Sequence, residues 1–239
     1  MALIMRTTST TDPGLVRSNN EDAAYAGERL VAVADGIGGQ PAGEVASEIA
    51  IAALTPLDRP TGADPAAEMS AAVAEANRRI RSAAGADPAS QGMGTTVTAA
   101  LLADDELVLA HVGDSRCYLL RNGRLYQLTR DDTFVQALVD EGVLTPDEAR
   151  RHPQRSMVTR AVQGGNVEPT VGTLPAQAGD RLLLCSDGLS DVVDDAVIGQ
   201  ALAGYGDREH CAEQLVKLAH QAGAPDNVTA VIADILGDA

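Results

Sequence analysis

The stretch Leu30-Val31-Ala32-Val33-Ala34-Asp35-Gly36 decides how the rest of the chain is read. Residues 30–34 form a short apolar run rich in β-formers, and Asp-Gly is a turn dipeptide. A buried strand is therefore predicted to stop at residue 34 and pass into a loop. Two further segments have the same character. The apolar run 182–186 ends at Asp187-Gly188, and Asp226-Asn227 opens a run over 227–235. Each puts a carboxylate at a predicted strand end.

Working outward, Val45, Ile49 and Ala52 fall at helical spacing within a predicted helix over 41–54, with Pro56 beyond it as a stop. A second, Ala-rich helix is predicted over 66–84, set off by the breaker-rich stretch 59–65. Strands follow over 95–102, 107–112, 117–121 and 125–128. Asn122-Gly123 joins the last two, and both residues tolerate the positive φ of a tight hairpin. Residues 131–155 turn polar and helical, broken by Gly142, Pro146 and Pro153, and read as a surface excursion. Strands resume over 170–173 and 181–185, followed by helices over 194–203 and 207–222. Paired helices beside hairpin-linked strands point to α+β layers, and no linker divides the chain, so residues 1–239 read as a single domain.

Composition narrows the function. With 18 Lys+Arg against 34 Asp+Glu in 239 residues the formal charge is −16, and aromatics are limited to four Tyr and one Phe. Phosphate backbones are held by clustered Lys and Arg and single strands by aromatic platforms, so nucleic acid is excluded as the main partner. No run approaches the roughly 18–20 apolar residues that span a bilayer, and residues 1–11 lack the flank and core of a signal peptide. Cys117, Cys185 and Cys211 are odd in number and widely spaced, which suits a reducing compartment without disulfides or a thiolate zinc site. The expectation is a cytoplasmic, monomeric protein or a soluble domain of a longer chain, with a membrane anchor beyond Ala239 left open.

Asp114, in His111-Val112-Gly113-Asp114-Ser115-Arg116, adds a fourth carboxylate at a break between two predicted strands. Any one of these acidic motifs is more often a turn than a ligand. Carboxylates that converge repel one another, and hard divalent cations such as Mg²⁺ or Mn²⁺, with oxygen-only ligation, are the usual remedy. Spacing alone does not bring the four together.

The chain resembles the metal-dependent Ser/Thr protein phosphatases, the type 2C or PPM family, particularly their bacterial members. The resemblance is carried, in order, by Gly14-Leu15-Val16-Arg17 with Asn20-Glu21-Asp22; Ala34-Asp35-Gly36-Ile37-Gly38-Gly39 with Ala42-Gly43-Glu44; Met93-Gly94-Thr95-Thr96; Gly113-Asp114-Ser115-Arg116; Asp131-Asp132; His152-Pro153-Gln154; Ser186-Asp187-Gly188-Leu189; and Pro225-Asp226-Asn227-Val228-Thr229. It implies a four-layer αββα sandwich, two mostly antiparallel sheets flanked by helix pairs, with a flap over 131–155. It also implies hydrolysis of phosphoserine and phosphothreonine by a hydroxide shared between two metals, with phosphorylated proteins as substrates and in opposition to Ser/Thr kinases.

Carried over by position, Asp35 would bridge two Mn²⁺ or Mg²⁺ ions and the Gly36 carbonyl would ligate the second. Glycine at 36 would keep a side chain from crowding that ion. Asp187 and Asp226 would hold the first ion, and Asp114 with Asp187 a weaker third. Glu21 and Asp22 match positions that hold metal-bound waters, with Asn227 supporting them. Arg17 would bind phosphate through its fork of donors. His152, in the flap, is a candidate substrate contact, although a surface role suits it better, and His111 reads as structural. The family commonly carries a His after the Asp-Gly or the following Gly-Gly; here Ile37 and Gln40 stand there. Leaving-group protonation is thereby weakened, which for alkyl phosphates matters more than for aryl ones.

Other phosphatase chemistries lack their motifs. Six residues separate Cys117 from Arg124 where a Cys-x₅-Arg loop needs five, four scattered His do not make a His-rich binuclear site, and Cys185 ends an apolar strand as a core residue would. Two alternatives stand beside the phosphatase: a phosphoprotein-binding or ion-sensing module of the same fold with little or no turnover, and a related phosphatase acting on an anti-sigma-antagonist type of protein.

Overall fold

The computed structural model describes residues 2–37, 42–60, 62 and 64–237. In chain order the strands are β1 (Leu3–Asp12), β2 (Asp22–Ala26), β3 (Leu30–Ile37), β4 (Gly94–Thr95), β5 (Val97–Ala103), β6 (Glu106–Val112), β7 (Arg116–Arg121), β8 (Arg124–Gln127), β9 (Thr170–Pro175), β10 (Arg181–Cys185) and β11 (Val228–Gly237). The helices are α1 (Ala42–Leu54), α2 (Pro65–Ala86), α3 (Phe134–Asp140), α4 (Pro146–Arg150), α5 (Asp187–Ser190), α6 (Asp195–Gly204) and α7 (Arg208–Gln221). One sheet runs β1-β11-β10-β7-β8, the other β2-β3-β5-β6-β9 with β4 beside β3. Every pairing is antiparallel.

Period-2 alternation explains why the central strands read as unbroken apolar runs. Along β3, Leu30, Ala32 and Ala34 pack with Ala46, Ala50, Met69 and Val73 of α1 and α2. Val31 and Val33 point the other way and meet Leu182, Leu184, Val231 and Ala233 of the opposite sheet. β11 divides likewise, with Val228, Ala230 and Ile232 against Leu202, Leu215 and Ala219 of α6 and α7. Two sheets between two helix pairs make three apolar layers, so the αββα sandwich expected from the resemblance is what the chain adopts.

Local signals account for most boundaries. Asp64 caps α2 by accepting a hydrogen bond from the Ala67 amide, with Pro65 in the first turn, and the helix buries Met69, Val73, Ala76 and Ile80 at helical spacing. Asn122 and Gly123 have φ of 52° and 73°, as the predicted hairpin requires. Three expectations are corrected. β3 does not stop before Asp35-Gly36 but continues to Ile37, because Gly36 and Ile37 pair with Thr95 and Gly94 of β4. α1 leaves Val45 and Ala52 exposed and buries Ala46, Ser47, Ala50, Ile51 and Leu54 instead, a face of small residues at its start and larger ones toward its end. Asp187-Gly188 opens the single turn α5 rather than a loop. β1 and β2 carry no predicted strand. They are the edge strands of the two sheets, and β1 fully buries only Met5, so the apolar signal is weak.

The polar excursion contains α3 and α4 and is tied to the body at its base. The Phe134 amide donates to the Met157 carbonyl at 2.9 Å, and the Thr159 amide to the Asp132 carbonyl at 2.7 Å. Thr133 bridges to Val158, and Val162 to Thr95. Among the described residues no helix is long and apolar enough to cross a membrane.

Candidate metal centre

Four chain segments end at one pole of the sandwich. Asp35 lies near the end of β3, directly opposite Asp22 at the start of β2. Asp114 occupies the β6–β7 turn, Asp187 the first position of α5, and Asp226 the approach to β11. Asp35, Gly36, Asp114, Asp187 and Asp226 line one cavity of about 180 Å³ together with Arg17, Asn19, Glu21, Ile37, Thr96, Ser156, Val158 and Asn227. At about 30 Å³ per water that is room for several small groups.

Close backbone contacts bring these segments together. A Cβ on Gly188 would lie 1.9 Å from the Asn227 carbonyl oxygen, so only glycine lets the α5 turn close on the segment carrying Asp226. A Cβ on Gly36 would lie 2.4 Å from the Gly43 carbonyl oxygen and 2.7 Å from that of Glu21. Packing of the Gly43 and Glu21 backbones on Gly36 by itself demands glycine there, apart from any crowding of an ion. Asn227 joins the pieces: its Oδ1 accepts from the Glu21 amide at 2.8 Å, and its Nδ2 donates to the Pro13 and Asn19 carbonyls at 3.0 and 2.8 Å. Thr96 holds Asp35, with the Asp35 amide donating to Thr96 Oγ1 and the Thr96 amide to the Asp35 carbonyl, each at 2.9 Å.

The charges are poorly compensated. Burial, then the carboxylates of Asp22, Asp187, Asp114 and Asp226, holds Asp35 well above the usual carboxylate range. Asp187 is raised in the same way, by burial and by Asp114, Asp191, Asp226 and Asp22. Asp114 is pushed up to about 7 by burial and by Asp131 and Asp191. Asp22 is pushed up to about 6 by burial, against hydrogen bonds from Thr229 and Ser186 that favour its ionised form. Ser186 Oγ donates to Asp22 Oδ2 at 2.7 Å, while Asp22 Oδ1 is buried with no partner. Asp226 differs: Arg17 Nη2 donates to its Oδ2 at 2.6 Å and the Asn227 amide to its Oδ1 at 2.9 Å.

An all-oxygen, multiply anionic donor set with an orphaned carboxylate oxygen fits hard divalent cations and not zinc held by thiolates. Among the described residues no three acidic, His or Cys side chains stand close enough together to grip an ion as they are. Arg17 occupies Asp226 Oδ2 in this geometry.

The remaining candidates divide. Glu21 and Asn227 are buried at the site. His152 does not line the cavity: its Nδ1 accepts from the Gln154 amide at 3.1 Å, and its ring lies 6.3 Å from that of Phe134. Gln40 lies outside the described residues. His111 is buried between Thr98 Oγ1 and the Arg130 carbonyl, a structural arrangement. Burial pushes the Cys185 thiol up to about 12, which disqualifies it as a nucleophile. Asp132 accepts from the Gly113 amide at 3.0 Å and pairs with Arg160, steadying the turn that presents Asp114. Sequence reasoning missed Thr96 and Asp191. Asp191 stands one helical turn after Asp187, a spacing that could have flagged it. It accepts from Ser156 Oγ at 3.3 Å and pairs with Arg155 at 3.4 Å.

Comparisons with known proteins identify the family. A family model described as protein phosphatase 2C matches residues 16–236. The chain is 53% identical over 237 residues to the serine/threonine protein phosphatase PstP of Mycobacterium tuberculosis H37Rv, covering 99% of this chain and 46% of PstP, about half its length. It is 36% identical over 235 residues to the serine/threonine phosphatase stp of Listeria innocua, covering 94% and 93% of the two chains. The crystal structure of the M. tuberculosis PstP phosphatase superposes with a TM-score of 0.95 at 53% identity, covering 98% of this chain and all of that one. A structure of the PstP catalytic domain in complex with two manganese ions superposes at 0.93 with 51% identity, again over 98% and all of the two chains.

Proposed function

The chain belongs to the protein phosphatase 2C family, and from that premise we propose that it is a metal-dependent protein phosphatase that cleaves phosphoserine and phosphothreonine esters. Water is the co-substrate: the P–O bond to the side chain breaks, a new P–O bond forms, and the alcohol and inorganic phosphate leave. The observation that carries this reading is the gathering of Asp35, Asp114, Asp187 and Asp226 around one cavity with little compensating positive charge.

Asp35, the Gly36 carbonyl, Asp187 and Asp226 would hold two Mn²⁺ or Mg²⁺ ions, with Asp114 and Asp187 forming a weaker third site. Two such ions supply a water acidic enough to ionise near neutral pH and offset the charge of the phosphoryl group. Arg17 is suited to orient the phosphate, since a guanidinium fork matches its oxygens. In this geometry it rests on Asp226, so substrate and ion would share the two partners of that ion pair. Glu21, Asp22 and Asn227 brace the ligand-bearing segments, and Thr96 fixes the Asp35 backbone. We take residues 1–239 as one domain, acting as a monomer in the cytoplasm on phosphorylated proteins and in opposition to Ser/Thr kinases.

One observation favours a slower variant of the same function: Ile37, which lines the cavity, has no proton to give a departing alkoxide. Hydrolysis of an aryl phosphate and a phosphothreonine peptide, with and without Mn²⁺, tests the proposal in wild type, Asp35→Asn and Arg17→Ala. Manganese-dependent turnover of both substrates, lost in Asp35→Asn, is expected. Binding of the peptide without turnover would make the domain a recognition module instead.

A further inference from the structure

Four large apolar side chains among the described residues are more than half exposed: Val16 at 70%, Leu15 and Val143 at 61%, and Met157 at 52%. A single exposed apolar residue is ordinary. Three of these four flank one opening. Leu15 and Val16 directly precede Arg17, and Met157 sits between Ser156 and Val158; Arg17, Ser156 and Val158 all line the carboxylate cavity. Both segments are anchored, the first by the Leu15 amide donating to the Ala224 carbonyl at 2.9 Å, the second by the bond from the Phe134 amide to the Met157 carbonyl at 2.9 Å.

We propose that Leu15, Val16 and Met157 form an apolar rim that seats the polypeptide on either side of the phosphorylated residue, so that the preferred substrates carry apolar rather than acidic neighbours. This rests on the phosphatase reading and deepens it by naming a substrate class. A phosphoserine or phosphothreonine side chain is short, with one carbon and the ester oxygen between Cα and phosphorus. With the phosphate in the cavity, the main chain lies at the mouth and the flanking side chains fall on whatever surrounds it. Here that is apolar surface, and apolar contact favours apolar neighbours. Charge works in the same direction, since a chain of net −16 repels acidic flanks that extend beyond the metal-bearing cavity.

The test compares kcat/KM of the full chain with Mn²⁺ on three phosphothreonine peptides of equal length, flanked by Leu and Val, by Ser, or by Glu. The wild type is expected to favour the apolar over the Ser flank by about tenfold, the scale of a modest apolar contact, with the Glu flank last. Leu15→Ser/Val16→Ser and, separately, Met157→Ser are expected to bring the apolar-to-Ser ratio toward one. These exposed positions tolerate substitution, so both variants remain folded. A wild-type ratio near one, or a ratio unchanged in both variants, overturns the rim while leaving the phosphatase intact. A concentration-dependent dimer abolished by Leu15→Ser/Val16→Ser would assign the surface to a second copy of this chain and also overturn it. Failure of the wild type to hydrolyse any peptide or an aryl phosphate overturns the phosphatase reading and the rim together.

Discussion

Two regions of this molecule bury aspartates in opposite ways. Away from the cavity, three inward carboxylates meet arginines. Asp180 accepts from Arg121 Nε at 2.7 Å, Asp131 is held by Arg116 at 2.7 Å, and Asp234 takes Arg181 at 2.6 Å as well as Arg208. At the cavity, Asp35 and Asp187 are surrounded chiefly by other carboxylates, those of Asp114, Asp226 and the neighbouring Asp22, and the arginine present, Arg17, is spent on Asp226. Burial of a carboxylate therefore says little by itself. The absence of a matched cation is what marks the cavity as a place built for something positive, because a buried like-charge group is costly unless a counter-ion is supplied.

The contrast can be broken most directly at Asp35. Asp35→Asn is expected to lower Mn²⁺-dependent phosphopeptide turnover by about 10²-fold or more, on the scale of losing a principal electrostatic contributor to a transition state. The same substitution should erase most of the stabilisation that manganese gives the wild type, about 3 kcal/mol at a hundredfold excess over Kd. Thermal unfolding with and without manganese reads this, and an undiminished shift in Asp35→Asn would place the ions elsewhere.

At the matched sites the opposite pattern is expected. Arg121→Met strands the buried Asp180 and should cost about 3 kcal/mol in denaturant unfolding. Its manganese-induced shift should remain, which separates loss of a structural pair from loss of a ligand.

Acidity sharpens the contrast further. The carboxyls of Asp22 and Asp114, pushed up to about 6 and about 7, bind protons more tightly in the folded chain than in the unfolded one. Their contribution is therefore greatest below about pH 4, the unfolded value, and is lost as pH rises through 6 and 7. Without metal, unfolding free energy should fall between pH 4 and 7 by roughly 1 kcal/mol per pH unit for each such group. Manganese should flatten that slope. A metal-free protein equally stable across this range would show that the carboxylates are compensated after all.

The smallest expected effect concerns proton donation. Gln40→His should raise turnover of phosphothreonine peptides a few-fold and leave aryl phosphates nearly unchanged, because only the alkoxide needs an acid. Equal gains on both substrates would remove the argument.

Much of the fold was legible because its signals are local. The helix α2 is read from its alanine-rich run after the breaker-rich stretch 59–65, and the β7–β8 hairpin from Asn122-Gly123. β1 was not legible, since an edge strand with one buried apolar side chain, Met5, has no alternation to detect. The outward face of α1 was misleading because its inward face carries alanines and a serine beside Ile51 and Leu54, so the apolar spacing of Val45, Ile49 and Ala52 competed with a weaker signal. At the site, the four aspartates and Arg17 stood out through the ordered motifs of the family. Thr96 stands in one of those motifs too, yet its role was not legible, because it consists of hydrogen bonds to the Asp35 backbone, 61 positions away.

From the order of its residues alone, this chain determined where the central strands run and that carboxylates stand at or near their ends, since apolar period and turn preference act over a few residues. Tertiary structure decided that the ends share one pole. Arg17 reaches Asp226 across 209 positions, and Gly188 admits the Asn227 backbone to a distance no side chain would allow. Such meetings come from two sheets packing face to face, and no short-range pattern encodes which loops that packing brings together.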